Sequence, residues 1–145
     1  MIVDMNFQSE SKKSGDDFEA IVLADLKSRG FTEIEKNVHM LGTGCEVDFL
    51  ARGPRCEYVE CKGGREGDKK RPGAKRTDNV KKAIANGSLI KKIYETAYYV
   101  VYFSDTPEPG SYSDEMIHLA LKYKIIDEVR YLKQTDIYAT QLTFE

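Results

Sequence analysis

The sequence contains no tryptophan, two histidines and three cysteines in 145 residues. An odd cysteine count with no Cys-x-x-Cys pair argues against a disulfide framework and for a reducing, cytoplasmic setting. Two histidines, His39 and His118, are too few for a histidine-ligated metal centre of ordinary composition. No apolar run approaches the roughly 20 residues needed to span a bilayer, so no membrane partner is expected. The N-terminal stretch MIVDMNFQSESKKSGDD lacks both the apolar region of a signal peptide and the basic amphipathic character of a presequence. What is present is nine tyrosines, six phenylalanines and 41% apolar residues, more than a disordered chain carries. One folded domain spanning residues 1–145 is expected.

Charge is unevenly distributed. Residues 62–92 hold eleven lysines and arginines against three acids, a surplus of +8 that leaves −10 on the remainder of a chain whose net charge is −2. An acidic body with one basic segment suits a protein that meets a polyanion on one face, through phosphate attraction and counterion release. Within it, GGREGDKKRPGAK (63–75) reads as a long loop, a kind usually retained for function.

Periodicity supplies the elements. Ser14 followed by Asp16 and Asp17 predicts a helix start, and Phe18, Ile21, Val22 and Leu26 recur at helical spacing up to Gly30. Three extended segments follow, at 31–40, 44–51 and 55–62, the last two joined about Gly53-Pro54 as a hairpin. Thr77 is placed as the cap of a second helix carrying Val80, Ala83, Ile84 and Ile90, in which Gly87 marks close packing. Residues 97–103 (AYYVVYF) are nearly all apolar, as in a strand covered on both faces, so their aromatics belong to the core and not to a base-stacking platform. A third helix is expected over 113–124, a strand near 128–132 and another over 135–144. The order describes one α/β domain with a mixed sheet.

The hairpin carries the chemistry. Alternation puts Asp48 on one face with Glu46 and Leu50, and Glu60 on one face with Lys62. Given one extra residue in the turn, or a bulge, Asp48 and Glu60 come side by side. Two converging carboxylates repel unless a cation lies between them, and hard oxygen ligands favour Mg²⁺ or Mn²⁺. A neighbouring ammonium, Lys62, suits metal-assisted hydrolysis of a phosphodiester. Zinc is disfavoured, since His39, Cys45, Cys56 and Cys61 fit no ribbon or finger spacing and Cys56 and Cys61 fall on opposite strand faces. Gly63-Gly64 lacks the strand and Gly-Lys context of a phosphate-binding P-loop.

These stretches resemble the PD-(D/E)xK nuclease superfamily, the restriction-endonuclease-like fold: Gly15-Asp16-Asp17-Phe18-Glu19 on the first helix, Glu46-Val47-Asp48-Phe49 on the second strand, and Glu60-Cys61-Lys62 on the third. Val47 stands where the family's proline would be. The resemblance covers about residues 14–104 and implies an αβββαβ core with a mixed central sheet, leaving 105–145 as a C-terminal α-β extension. It further implies that Asp48 and Glu60, with the backbone carbonyl of Cys61, bind Mg²⁺ or Mn²⁺, that Lys62 orients the attacking water, and that Glu19 completes the acidic cluster. Glu46 is an additional candidate acid from its strand face. Arg65, Lys69, Lys70, Arg71, Lys75 and Arg76 are expected to contact DNA phosphates, as are Thr77 and Asn79 at the start of the second helix.

The expectation is therefore a Mg²⁺-dependent endonuclease acting on DNA, of junction-resolving, nicking, restriction or homing type, and a homodimer if both strands are cut. The rival from another class is a catalytically silent nucleic-acid-binding module on the same fold. A third reading, an interaction domain using 113–145, predicts no salt-dependent DNA binding.

Overall fold

The computed structural model describes residues 17–63 and 73–133. The expected helix cap at Ser14, the basic residues Arg65, Lys69, Lys70 and Arg71, and the expected strand over 135–144 lie outside the described residues.

Helix α1 covers 17–28. Its stripe of Phe18, Val22 and Leu26 is wholly buried, and the backbone N–H of Phe31 returns to the Leu26 carbonyl at 3.1 Å to close it. Strands β1 (Glu33–Met40), β2 (Cys45–Arg52) and β3 (Cys56–Lys62) form an antiparallel meander. A short 3₁₀ turn, Gly73–Lys75, leads into α2 (Thr77–Ile93), which carries the chain across to β4 (Tyr98–Phe103), parallel to β3. Helix α3 (Tyr112–Lys122) makes a second crossover to β5 (Glu128–Tyr131), parallel to β4. The result is an α/β architecture with a five-stranded mixed sheet in the order β1-β2-β3-β4-β5.

Each face of the sheet has its own apolar core. Phe18, Val22 and Leu26 of α1 pack on Phe49, Ala51, Val59, Val100 and Tyr102. On the opposite face, Val80, Ala83 and Ile90 of α2 and Ile117 and Ala120 of α3 pack on Tyr99, Val101 and Phe103. Strand β4 lies between the two cores, which is why its sequence is apolar at consecutive positions. Burying each large apolar side chain contributes about 1.5–3 kcal/mol. Among the described residues no helix is long and apolar enough to cross a membrane.

The helix starts differ from expectation at α2. Arg76, with extended backbone, occupies the N-cap position without a side-chain cap hydrogen bond, and Thr77 is the first helical residue. The 3₁₀ turn immediately before the helix sets this entry: Asn79 Nδ2 donates to the Gly73 carbonyl at 3.0 Å and its backbone N–H to the Arg76 carbonyl at 3.1 Å. In α3 the cap is ordinary, with Ser111 Oγ accepting from the Asp114 N–H at 3.2 Å.

Two glycines set distances between layers. A Cβ on Gly87 would lie 2.5 Å from the Ile125 carbonyl oxygen and 2.8 Å from the Tyr99 ring, so glycine lets α2 settle onto the sheet. A Cβ on Gly63, just past β3, would lie 2.5 Å from three side-chain atoms of the wholly buried Phe18. Gly63→Ala is therefore expected to cost about 1–3 kcal/mol through overpacking. Urea denaturation measures the loss, and unchanged stability would show that α1 docks with more freedom than this contact implies.

Candidate active site

The site forms where β2 parts from β3. Their ladder pairs Arg52 with Cys56, Ala51 with Glu57, Leu50 with Tyr58 and Phe49 with Val59. The turn comprises Gly53, Pro54 and Arg55, one residue more than a two-residue hairpin, and this register brings Asp48 level with Glu60 without a bulge. The ladder stops there. In place of a main-chain partner, the Cys61 N–H donates to Asp48 Oδ2 at 2.7 Å. A strand residue aims its amide and carbonyl toward the same neighbour, so the Cys61 carbonyl also faces the β2 side. The Lys62 carbonyl faces the other way, accepting from the Ser104 N–H at 3.2 Å.

Strand β2 changes partners across the same point. Cys45 and Val47 belong to the core beneath α2, whereas Phe49 and Ala51 belong to the core beneath α1. On β1, Asn37 has φ 53° and falls between the pairs Lys36–Phe49 and Val38–Val47. The face expected to hold Glu46, Asp48 and Leu50 together is therefore not maintained. Glu46 is exposed opposite His39, and Leu50 is buried. Simple alternation fails because the strand twists as it leaves β3.

Asp48, Glu60 and Lys62 do come together. Glu60 is only 4% exposed, its carboxyl adjoins that of Asp48, and the Lys62 ammonium stands 3.8 Å from its Oε1. Burial, followed by the adjoining Asp48 carboxylate, pushes the Glu60 carboxyl up to about 8, against the opposing pull of Lys62 and Asn86. Burial likewise pushes the Cys61 thiol up, and the charges of Asp48, Glu19 and Glu60 add to this. Glu19, beside Phe18 on α1, is thus within electrostatic reach of β3.

The raised Glu60 carboxyl has a signed consequence for stability. Native Glu60 keeps a proton that the unfolded chain has already released, so its contribution is fully present below pH 4.5 and is lost as pH rises to about 8. With EDTA present, wild-type stability should fall relative to Glu60→Gln over that interval, by at most about 1.4 kcal/mol per pH unit. Denaturant titrations of both proteins at pH 5, 6, 7 and 8 measure the difference. A constant gap would mean that Glu60 is ionised throughout.

Asn86 was not identified from the sequence. Its Nδ2 donates to Glu60 Oε2 at 2.9 Å, and its Oδ1 lies 3.7 Å from the Cys45 thiol. It sits three residues after the buried Ala83 and four before the buried Ile90, so an amide on the core-facing stripe of α2 was the available signal.

In the described part of the basic segment, two of the residues expected to contact DNA make ion pairs within the protein. Lys75 Nζ is 3.6 Å from both Asp105 and Glu108, and Arg76 Nη2 is 3.8 Å from Asp78. Thr77 and Asn79 stand in the first turn of α2. Cys45 is buried, Cys56 exposed and Cys61 intermediate, and all three are free thiols. Among the described residues, no three His, Cys, Asp or Glu side chains converge as a ready-made metal-ligating group. That donor set does not make a four-ligand zinc site. Two carboxylates and one carbonyl do fit a hydrated hard cation, because Mg²⁺ keeps several waters and takes only one or two carboxylates. Compared with known protein families, with curated proteins and with solved structures, this chain matches none.

Proposed function

We propose that the protein is a divalent-cation-dependent nuclease that hydrolyses DNA phosphodiester bonds, built on a restriction-endonuclease-like core. The single observation that carries this reading is the meeting of Asp48, Glu60 and Lys62 at the point where β2 separates from β3. Asp48, Glu60 and the Cys61 carbonyl would hold Mg²⁺ or Mn²⁺. When bound, the cation supplies neutralising charge and lowers the pKa of coordinated water. Two adjoining acids share one ammonium, so ionising both is unfavourable until a cation is bound, and a bound cation would favour ionised Glu60. Lys62, its side chain one-fifth exposed, would meet the attacking water or a nonbridging phosphate oxygen while Glu60 steadies its ammonium. Glu19 is proposed as a further acid approaching from α1, and the basic segment as a phosphate contact that positions DNA without reading its bases.

Incubation of the purified protein with plasmid, single-stranded, branched and RNA substrates in Mg²⁺, Mn²⁺ or EDTA tests this proposal. Cleavage of DNA that EDTA abolishes supports it. Salt-dependent binding without cleavage under any condition would favour the silent binding module, and absence of both would exclude each of these readings.

A further inference from the structure

Glu60 is held from the side opposite Lys62. Its Oε1 faces the Lys62 ammonium at 3.8 Å, and its Oε2 accepts from Asn86 Nδ2 at 2.9 Å. With a cation bound, Glu60 is ionised and can only accept, and the amide already presents its NH₂ group to Oε2 in the orientation that this state needs. The far side of the amide is consistent with this. Its Oδ1 faces the Cys45 thiol at 3.7 Å, a weak donor whose other nearby acceptor is the Thr43 carbonyl at 3.7 Å. Asn86 reaches β3 because the next residue is Gly87, whose missing side chain lets α2 approach the Tyr99 ring and the Ile125 carbonyl. A buried carboxylate with one oxygen tied to a rigid helix has lost the freedom to rotate, leaving Oε1 directed toward the Asp48–Lys62 side.

We propose that Asn86 is the positioning residue of this site: it fixes Glu60 through Oε2 so that Oε1 is presented to a divalent cation shared with Asp48. The inference rests on the proposed metal-dependent function and adds an element of the site outside the hairpin. It acts through Glu60 and touches no substrate. Partners that orient a metal ligand typically contribute a factor of about 10–100 in metal affinity.

The test is Mn²⁺ affinity, followed by the electron paramagnetic resonance signal of free Mn²⁺ with the full chain and no DNA. Wild type is compared with Glu60→Gln, Asn86→Ala and Asn86→Leu, and thermal melting of each is recorded in EDTA. Alanine suits a helix interior and leucine keeps the side-chain volume, so both variants are expected to melt cooperatively. The expected result is a dissociation constant raised about 10- to 100-fold in both Asn86 variants, and binding abolished in Glu60→Gln. Affinities of both Asn86 variants within twofold of wild type, with Glu60→Gln still inactive in binding, overturn the positioning role and leave the proposed function standing. Failure of wild type to bind Mn²⁺ overturns both. Loss of cooperative melting in both Asn86 variants also overturns the assignment, since Asn86 would then serve the fold and not the site.

Discussion

Glu60→Gln, Asp48→Asn and Lys62→Ala are each expected to lower Mg²⁺-dependent DNA cleavage by about 10²- to 10⁴-fold while salt-dependent binding to DNA persists. The first two substitutions are nearly isosteric, so they remove charge with little loss of packing. For Asp48→Asn, the residue at 48 must still accept from the Cys61 N–H, which an amide oxygen can do. The fold around the β2–β3 divergence should therefore survive, and the loss should appear in turnover. Binding should hold or tighten in the two acid variants, because each removes a negative charge facing phosphate. Lys62→Ala acts in the opposite sense on binding, modestly, since it removes one cation from the same surface. Residues that act as one unit are strongly non-additive, so the triple variant should be little worse than the poorest single one. Single-turnover cleavage and salt-titrated binding, measured on the same preparations, separate these effects. Cleavage by Glu60→Gln or Lys62→Ala at the wild-type rate would remove the site assignment altogether.

The second large effect concerns stability and lies in a part of β3 to which no catalytic role is assigned. Glu57, wholly buried, accepts both terminal nitrogens of Arg130, at 2.9 and 2.8 Å, and Arg130 is itself only 6% exposed. The network continues in both directions. Arg130 also donates to the Tyr102 hydroxyl at 2.8 Å and to Glu128, while the Tyr102 hydroxyl donates to Asp25 of α1 at 2.7 Å. Arg55 donates to Glu57 at 2.8 Å and stacks over the Tyr98 ring at 3.9 Å. Three strands and α1 are thus tied through charged groups taken out of water. Such a pair contributes little net stability compared with an apolar replacement, but removing one partner strands the other charge in the interior. Glu57→Ala and Arg130→Ala are each expected to cost about 3–5 kcal/mol. The double replacement should cost less than the two singles added together, with a coupling of about 0.5–3 kcal/mol. Urea unfolding of the four proteins closes the cycle. Additive losses would mean that Arg55 and Glu128 already satisfy the remaining charge in each single variant.

Both outcomes bear on what could be read from the amino-acid sequence. The helical stripe from Phe18 to Leu26, the alternation of the meander, and the apolar run of β4 depend on neighbours a few residues away. The turn at 53–55 sets the hairpin register, so Asp48, Glu60 and Lys62 could be placed together from local rules alone. The same rules misplaced Glu46 and the α2 cap. Periodicity assumes a strand that stays flat and a helix that starts at its first capping residue. Here β2 is pulled from one core to the other, and a 3₁₀ turn hands the cap position to Arg76.

What the sequence by itself determined is the order of the described helices and strands and the chemical character of the hairpin. What only the tertiary structure decided is which side chains lean on that hairpin from elsewhere. Asn86 meets Glu60 across 26 residues and Cys45 across 41, and Arg130 meets Glu57 across 73. No local propensity encodes such pairs, because they depend on how closely α2 and β5 settle against β3. That closeness follows from packing, including a missing side chain at Gly87 and the burial of charges that can remain only where a partner is already in place.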